Sequence, residues 1–203
     1  VNTVPSSQTM NEDTTLVFSN ANSNAITVSD VDASTVRVTL TSTNGLMTLS
    51  GISGLSFITG DGTSDATMTF SGTKSAINAA LNGLSYTPTS QFNGSAQIQI
   101  VTSDLGATGT GGTLTDTDTI AITVNAVNDA PVNTLPASYT MNEDAALTLS
   151  GLSVADVDAS TGTITVTLSV TSGTISATSG GSVTVSGSGT NSVVLSGTLA
   201  NIN

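Results

Sequence analysis

The 203-residue chain has no cysteine, no histidine and no tryptophan, and its only basic side chains are Arg37 and Lys74. Without cysteine there are no disulfides, thiol nucleophiles or thiolate zinc sites, and without histidine no imidazole base or ligand. The lack of cysteine leaves the compartment open, because it removes only the disulfide argument for secretion. Two basic residues against 14 acids give a formal net charge of −12. Such a surface repels phosphate backbones and anionic membranes, so neither nucleic acid nor a lipid surface is an expected partner. No stretch approaches the roughly 20 apolar residues of a membrane-spanning helix, so membrane insertion is not expected. No signal peptide is recognisable, and the chain starts and stops in mid-pattern, which suggests a fragment.

What the chain has in quantity is Thr, Ser, Gly, Val, Ala and Asn, the profile of an all-β protein with many turns. It also repeats. Val1-Asn2-Thr3-Val4-Pro5 returns as Val132-Asn133-Thr134-Leu135-Pro136, and Met10-Asn11-Glu12-Asp13 returns at the same spacing as Met141-Asn142-Glu143-Asp144. The restart follows Val124-Asn125-Ala126-Val127-Asn128-Asp129-Ala130-Pro131. A repeat of domain length across such a joint is a tandem array. The expected organisation is a complete repeat over 1–131 and the first part of a second over 132–203.

Period-2 alternation places the strands. Ser6 to Asp13 reads as a first strand. Leu16-Val17-Phe18 and Ile26-Thr27-Val28 read as the next, interrupted by the Asn-rich run Ser19 to Asn24. The second copy drops five residues here, so the interruption is a loop or bulge. Asp30-Val31-Asp32-Ala33-Ser34 is a turn, and Val36, Val38 and Leu40 then alternate with polar residues. Short strands are expected at Leu46–Leu49, Leu55–Ile58, Thr67–Phe70, Leu84–Thr87, Ala96–Thr102 and Thr119–Asn125. Ile77, Ala80, Leu81 and Leu84 fall at helical spacing, with Gly83 as a stop, and predict one short helix from about Thr73 to Asn82. The whole predicts an antiparallel two-sheet sandwich with one short helix per repeat. The second copy ends where that helix begins, so it lacks the helix body and the last three strands.

Ten of the 14 acids sit in three contexts, two of them recurring, with Asp104 and Asp129 as the remaining pair. Asn-Glu-Asp holds Glu12, Asp13, Glu143 and Asp144; Asp-Val-Asp holds Asp30, Asp32, Asp156 and Asp158; Asp104 and Asp129 complete the set. In an up-and-down sandwich Glu12 should point toward the joint from the first copy, and Asp156 and Asp158 from the second. Like charges about 4 Å apart repel by on the order of 4 kcal/mol at an effective dielectric near 20, and two basic residues cannot neutralise that. Carboxylate, amide and carbonyl oxygens without His or Cys are hard ligands that suit Ca²⁺.

Asn-Glu-Asp, Asp-Val-Asp, Ser103-Asp104-Leu105-Gly106 and Val127-Asn128-Asp129-Ala130-Pro131 stand in the order of the cadherin calcium motifs. With Leu84-Ser85-Tyr86-Thr87-Pro88, Phe92-Asn93-Gly94 and Thr115-Asp116-Thr117-Asp118-Thr119, the chain more closely resembles bacterial cadherin-like repeats. Those repeats build the extensions of giant surface adhesins of the type I-secreted, RTX kind. The resemblance implies a Greek-key β-sandwich of cadherin or Ig type, tandemly repeated, in an extracellular stalk for cell adhesion and biofilm formation. It implies Ca²⁺ ligation at the joint by Glu12, Asn125, Asn128, Asp129, Asp156 and Asp158, with Asp30, Asp32 and Asp104 facing a preceding domain. Its partners would be neighbouring repeats, with any host or surface ligand met through other domains. One departure matters: where animal cadherins carry Leu-Asp-Arg-Glu, this chain has Leu84-Ser85-Tyr86-Thr87, so fewer or weaker ions per joint are expected. Extracellular calcium modules bind at roughly 10⁻⁴ to 10⁻³ M.

Plainer readings stand beside these. Asp-Val-Asp also reads as a solvated turn and Asn-Glu-Asp as a polar strand end. Asp61 and Asp65 read as turn acids, since the second copy has Gly187-Ser188-Gly189-Thr190 there, and Asp116 and Asp118 as a solvated strand end. An enzyme is not expected: paired carboxylates could serve a glycosidase, but these acids fall in a repeated joint, and no phosphate loop or base for a serine nucleophile exists. The alternative function is an adhesive domain that itself binds a glycan or a surface, although aromatic platforms are scarce.

Overall fold

The computed structural model describes residues 1–106 and 112–203, and the chain divides into two compact units, Val1–Val127 and Asn128–Asn203. Strand is the predominant regular structure among the described residues, and the fold is all-β.

The first unit opens with β1 (Asn2–Thr3), β2 (Gln8–Asn11), β3 (Leu16–Phe18) and β4 (Thr27–Val28). It continues through β5 (Thr35–Ser42), β6 (Gly45–Thr48), β7 (Leu55–Thr59), β8 (Thr67–Thr73) and the helix α1 (Lys74–Leu81). It closes with β9 (Leu84–Pro88), β10 (Gly94–Ser103) and β11 (Thr115–Asn125). A six-stranded sheet runs in the order β2-β11-β10-β5-β8-β7, a three-stranded sheet in the order β3-β9-β6, and β1 pairs with β4. Alternation along the long strands drives this: Val36, Val38 and Leu40 of β5 and Ile98 and Ile100 of β10 are buried while their neighbours face outward. Phe18 and Met47 from the smaller sheet join them in one apolar cluster, together with Leu84 and Tyr86. A core shared by two sheets is consistent with a sandwich. Each large side chain buried there contributes about 1.5–3 kcal/mol. Gly45 permits close packing of β6 on β9, since a Cβ there would meet the Tyr86 ring and the Thr87 carbonyl at 2.6 Å.

The helix matches its expected span to within a residue at each end. Thr73 caps it, its Oγ1 accepting from the Ala76 N–H at 3.2 Å, and Gly83 leaves it at φ +113°. Ile77, Ala80 and Leu81 form its buried face. Three expectations need correction. Leu16–Phe18 and Ile26–Val28 are not one interrupted strand, because β3 joins β9 in the smaller sheet whereas β4 pairs with β1. The pairing is not wholly antiparallel, since β2 lies parallel to β11. The last strand starts at Thr115 rather than Thr119, because Asp116 is held in the ladder opposite Thr102.

The second unit contains β12 (Val132–Thr134), β13 (Ser153–Ala155), β14 (Ile164–Ser169), β15 (Thr184–Ser186), β16 (Ser192–Gly197) and α2 (Leu199–Ile202). Its registers repeat those of the first. Val36 faces Gly72, Val38 faces Phe70 and Leu40 faces Met68 in the first unit. Ile164 faces Gly197, Val166 faces Leu195 and Leu168 faces Val193 in the second. Asn2 opposite Val28 becomes Asn133 opposite Val154.

Candidate metal centre

The Asn-Glu-Asp segment leaves β2 beside the end of β11. Its first link continues the parallel ladder, with the Glu12 N–H donating to the Asn125 carbonyl at 2.9 Å. Glu12 is only 3% exposed. Its Oε1 accepts from the Val127 N–H at 2.7 Å, and its Oε2 accepts from the Asn93 amide at 3.3 Å. A buried carboxylate is costly unless hydrogen-bonded, and both of these donors are neutral. Asp13 sits in the left-handed region at φ 55° and accepts from the Gln91 N–H and side-chain amide at 3.1 and 2.8 Å. Asn125 is exposed, and its amide donates to Asn11 Oδ1 at 3.3 Å. Glu12 and Asn125 therefore do come together where the first unit ends.

Asp30, Asp32 and Asp104 lie at the opposite end of the same unit, which β11 spans over about 30 Å. Asp30 Oδ1 closes its turn by accepting from the Asp32 and Ala33 N–H groups at 2.9 and 2.6 Å. The Ala33 hydrogen bond, then that of Asp32, holds the Asp30 carboxyl below its ordinary value, with smaller help from the Val1 amine and Lys74. The Lys74 ammonium donates to the Asp30 carbonyl. Asp32 is exposed. Asp104 Oδ1 accepts from the Gly106 and Leu114 N–H groups, both at 2.8 Å, and so clasps the base of its loop.

In the second unit Asp156 Oδ1 accepts from the Asp158 and Ala159 N–H groups, both at 2.9 Å, repeating the Asp30 turn. Asp158 accepts in turn from the Asp129 N–H. Asp129, Asp156 and Asp158 are thereby linked, whereas the exposed Asn128 side chain donates to the Asp129 carbonyl. Glu143, the counterpart of Glu12, is exposed.

Two amide side chains outside the acidic motifs, Asn2 and Asn78, also matter here. Asp116 is not a solvated strand end: its Oδ2 accepts from the Asn2 N–H at 2.6 Å, its carbonyl accepts from the Asn2 amide, and Asn2 Oδ1 accepts from Thr102 at 2.6 Å. Asn78 brackets Val28, accepting from its N–H at 2.8 Å and donating to its carbonyl at 3.0 Å. Asn203 does the same to Val154, at 2.8 Å for both bonds. Asn2 and Asn78 recur as Asn133 and Asn203, so comparing copies at amides as well as acids would have found them. Asp65 is a turn acid as expected, its Oδ2 accepting from the Asp61 and Gly62 N–H groups.

The donors on offer are carboxylate, amide and carbonyl oxygens, a hard set that fits Ca²⁺ in kind. Among the described residues no group of three or more acidic side chains stands gathered as a preformed metal cluster. No protein-family model matches the chain, and no curated protein matches it.

Proposed function

We propose that the chain is a Ca²⁺-stiffened extender of a bacterial surface adhesin, built from tandem cadherin-like sandwiches of Greek-key topology. One observation carries the reading. Hydrogen-bonded acids flank the division between the units along the chain, Glu12 bonded to Val127 on one side and Asp158 bonded to Asp129 on the other.

In this reading Glu12, Asn125, Asn128, Asp129, Asp156 and Asp158 supply oxygens at the joint. Asp30, Asp32 and Asp104 do the same at the other end of the first unit. When bound, Ca²⁺ supplies the positive charge that two basic side chains cannot, in a shell that tolerates irregular geometry. Glu12 keeps its carboxylate oriented through Val127 and Asn93, and Asp156 keeps the Asp-Val-Asp turn closed so that Asp158 stays beside Asp129. The role is mechanical and extracellular: neighbouring repeats are the partners, and no reaction is catalysed. Among the described residues no helix is long and apolar enough to cross a membrane.

The test is calcium titration with two readouts, thermal melting and small-angle scattering. Calcium is expected to raise Tm and increase the maximum particle dimension, and Glu12→Gln to lose most of both responses while remaining folded. Identical melting and scattering with and without calcium would end the proposal.

A further inference from the structure

The smaller sheet of the first unit runs β3-β9-β6, so β3 and β6 are its edges. An uncovered edge is a template on which another chain can pair. Main chain covers β6: Met47 and Asp65 exchange two N–H···O bonds at 2.9 and 3.0 Å, and the Leu49 N–H donates to the Gly62 carbonyl at 2.9 Å. Side-chain amides cover β3. In an antiparallel ladder alternate residues turn their backbone groups away from the partner strand, and on β3 that residue is Val17. Its carbonyl accepts from the Asn22 and Asn24 amides at 2.9 and 3.1 Å. Two residues on, the Ser19 N–H donates to Asn24 Oδ1 at 2.9 Å, and the Ser19 carbonyl accepts from the Asn24 N–H at 3.2 Å. Asn24, 8% exposed, thus stands where the peptide group of a neighbouring strand would. The loop is anchored at the end of α1, with the Asn20 N–H donating to Asn82 Oδ1 at 2.9 Å.

We propose that the loop 20–24 is an autoinhibitory guard that keeps β3 from pairing with β3 of a second copy of this chain. Two features select a second copy as the excluded partner. Antiparallel pairing centred on Val17 is its own two-fold mate, so one edge serves both partners. Residues 14–24 include no charged side chain, so two copies of a chain of net charge −12 meet there without facing carboxylates. The loop is also the part of this connection that a repeat can do without. The second copy has five fewer residues here, passing from Ser150 through Gly151 to Leu152, yet it pairs β12 with β13 in the register of β1 with β4. The cover on β6 recurs instead, Ile175 bridging to Thr190 as Met47 does to Asp65. Closure of the β3 edge is therefore a property of one copy, and it sets whether that copy stays single or joins another sideways.

The test compares the intact chain with two variants by sedimentation velocity over a concentration series, with melting curves to show that each is folded. Deleting residues 20–24 joins Ser19 to Ala25 as Ser150 joins Gly151 in the second copy. The pair Asn22→Gly and Asn24→Gly keeps the chain length and removes the same amides, so the outcome does not hang on the deletion folding. Both variants should double in mass as concentration rises, with hydrogen exchange slowed at Val17, whereas the intact chain should show no slowing there. Exchange at Val17 separates this pairing from association through any other surface. Adding Val17→Lys to either variant should restore the monomer, because it sets two like charges directly opposite across the axis. Folded variants that stay monomeric up to about 1 mM overturn the proposal. So do dimers that survive Val17→Lys, or slowed exchange at Val17 in the intact chain.

Discussion

The two units share their turns and registers but not their core. The Asp30 and Asp156 turns close through the same N–H groups, Asn78 and Asn203 bracket equivalent valines, and Asp13 and Asp144 both take positive φ. Yet nearly the whole apolar core belongs to the first unit, and among the described residues of the second the buried apolar side chains are Val154 and Val193. Phe18 is fully buried beside β9, whereas its counterpart Leu149 is 39% exposed and lies in no strand. Met47 bridges to Asp65 and Ile175 to Thr190 in the same way, but only Met47 also belongs to a strand, opposite Tyr86. The difference teaches that turn chemistry and neighbouring registers are local, whereas the smaller sheet requires β9 as its central strand.

The comparison breaks most sharply at one pair of leucines. Leu40→Ala empties a fully buried site, and a loss of about 3 kcal/mol is expected; Leu168→Ala should cost about 1 kcal/mol or less, because half-exposed leucine leaves little cavity. Urea unfolding of each variant, followed at probes in the two units, measures both. Equal losses would mean that the second unit is packed as tightly as the first.

A smaller effect should follow the asparagines. Asn78→Ala leaves the buried backbone of Val28 without two partners and should cost about 1–3 kcal/mol. Asn203→Ala should act mainly by speeding hydrogen exchange at Val154, where water can replace the lost bonds.

The smallest effect sharpens the comparison at the acids. The Asp30 pKa is lowered on folding, so its stabilising contribution is complete above the ordinary carboxylate value of about 3.9 and is lost as pH falls through the lower folded value. An NMR titration of the Ala33 amide should give a midpoint below the ordinary carboxylate value, and Asp30→Asn should flatten it.

The sequence carried the local features well. Helical spacing and Thr73 located α1, period-2 runs located β5 and β10, and small acidic residues located both Asp-Val-Asp turns. The Asn-rich loop was recognisable because the second copy drops five of its residues. Its internal order was not, since buried Asn24 holds it through Ser19, Val17 and Gln8. Sheet membership was equally hidden: nothing in Leu16–Phe18 or Thr27–Val28 states that they join different partners. Of the acids, Glu12 could be placed at the exit of its unit from strand direction alone. The roles of Asn93 and the Val127 N–H depend on contacts distant in sequence, as does the Asn2–Asp116 pair.

The parallel pairing of β2 and β11 bears on how the first unit would carry load. Past the short β1, tension from the two ends of the unit pulls β2 and β11 along their lengths in opposite directions. Ladder contacts from Gln8–Ile122 to Asn11–Asn125 are then stretched in shear, all at once, rather than unzipped one after another. The Glu12–Asn125 and Glu12–Val127 bonds sit at the end of that shear zone and share the strain. In single-molecule pulling the first unit should therefore resist as one abrupt rupture, with β1 peeling beforehand at low force.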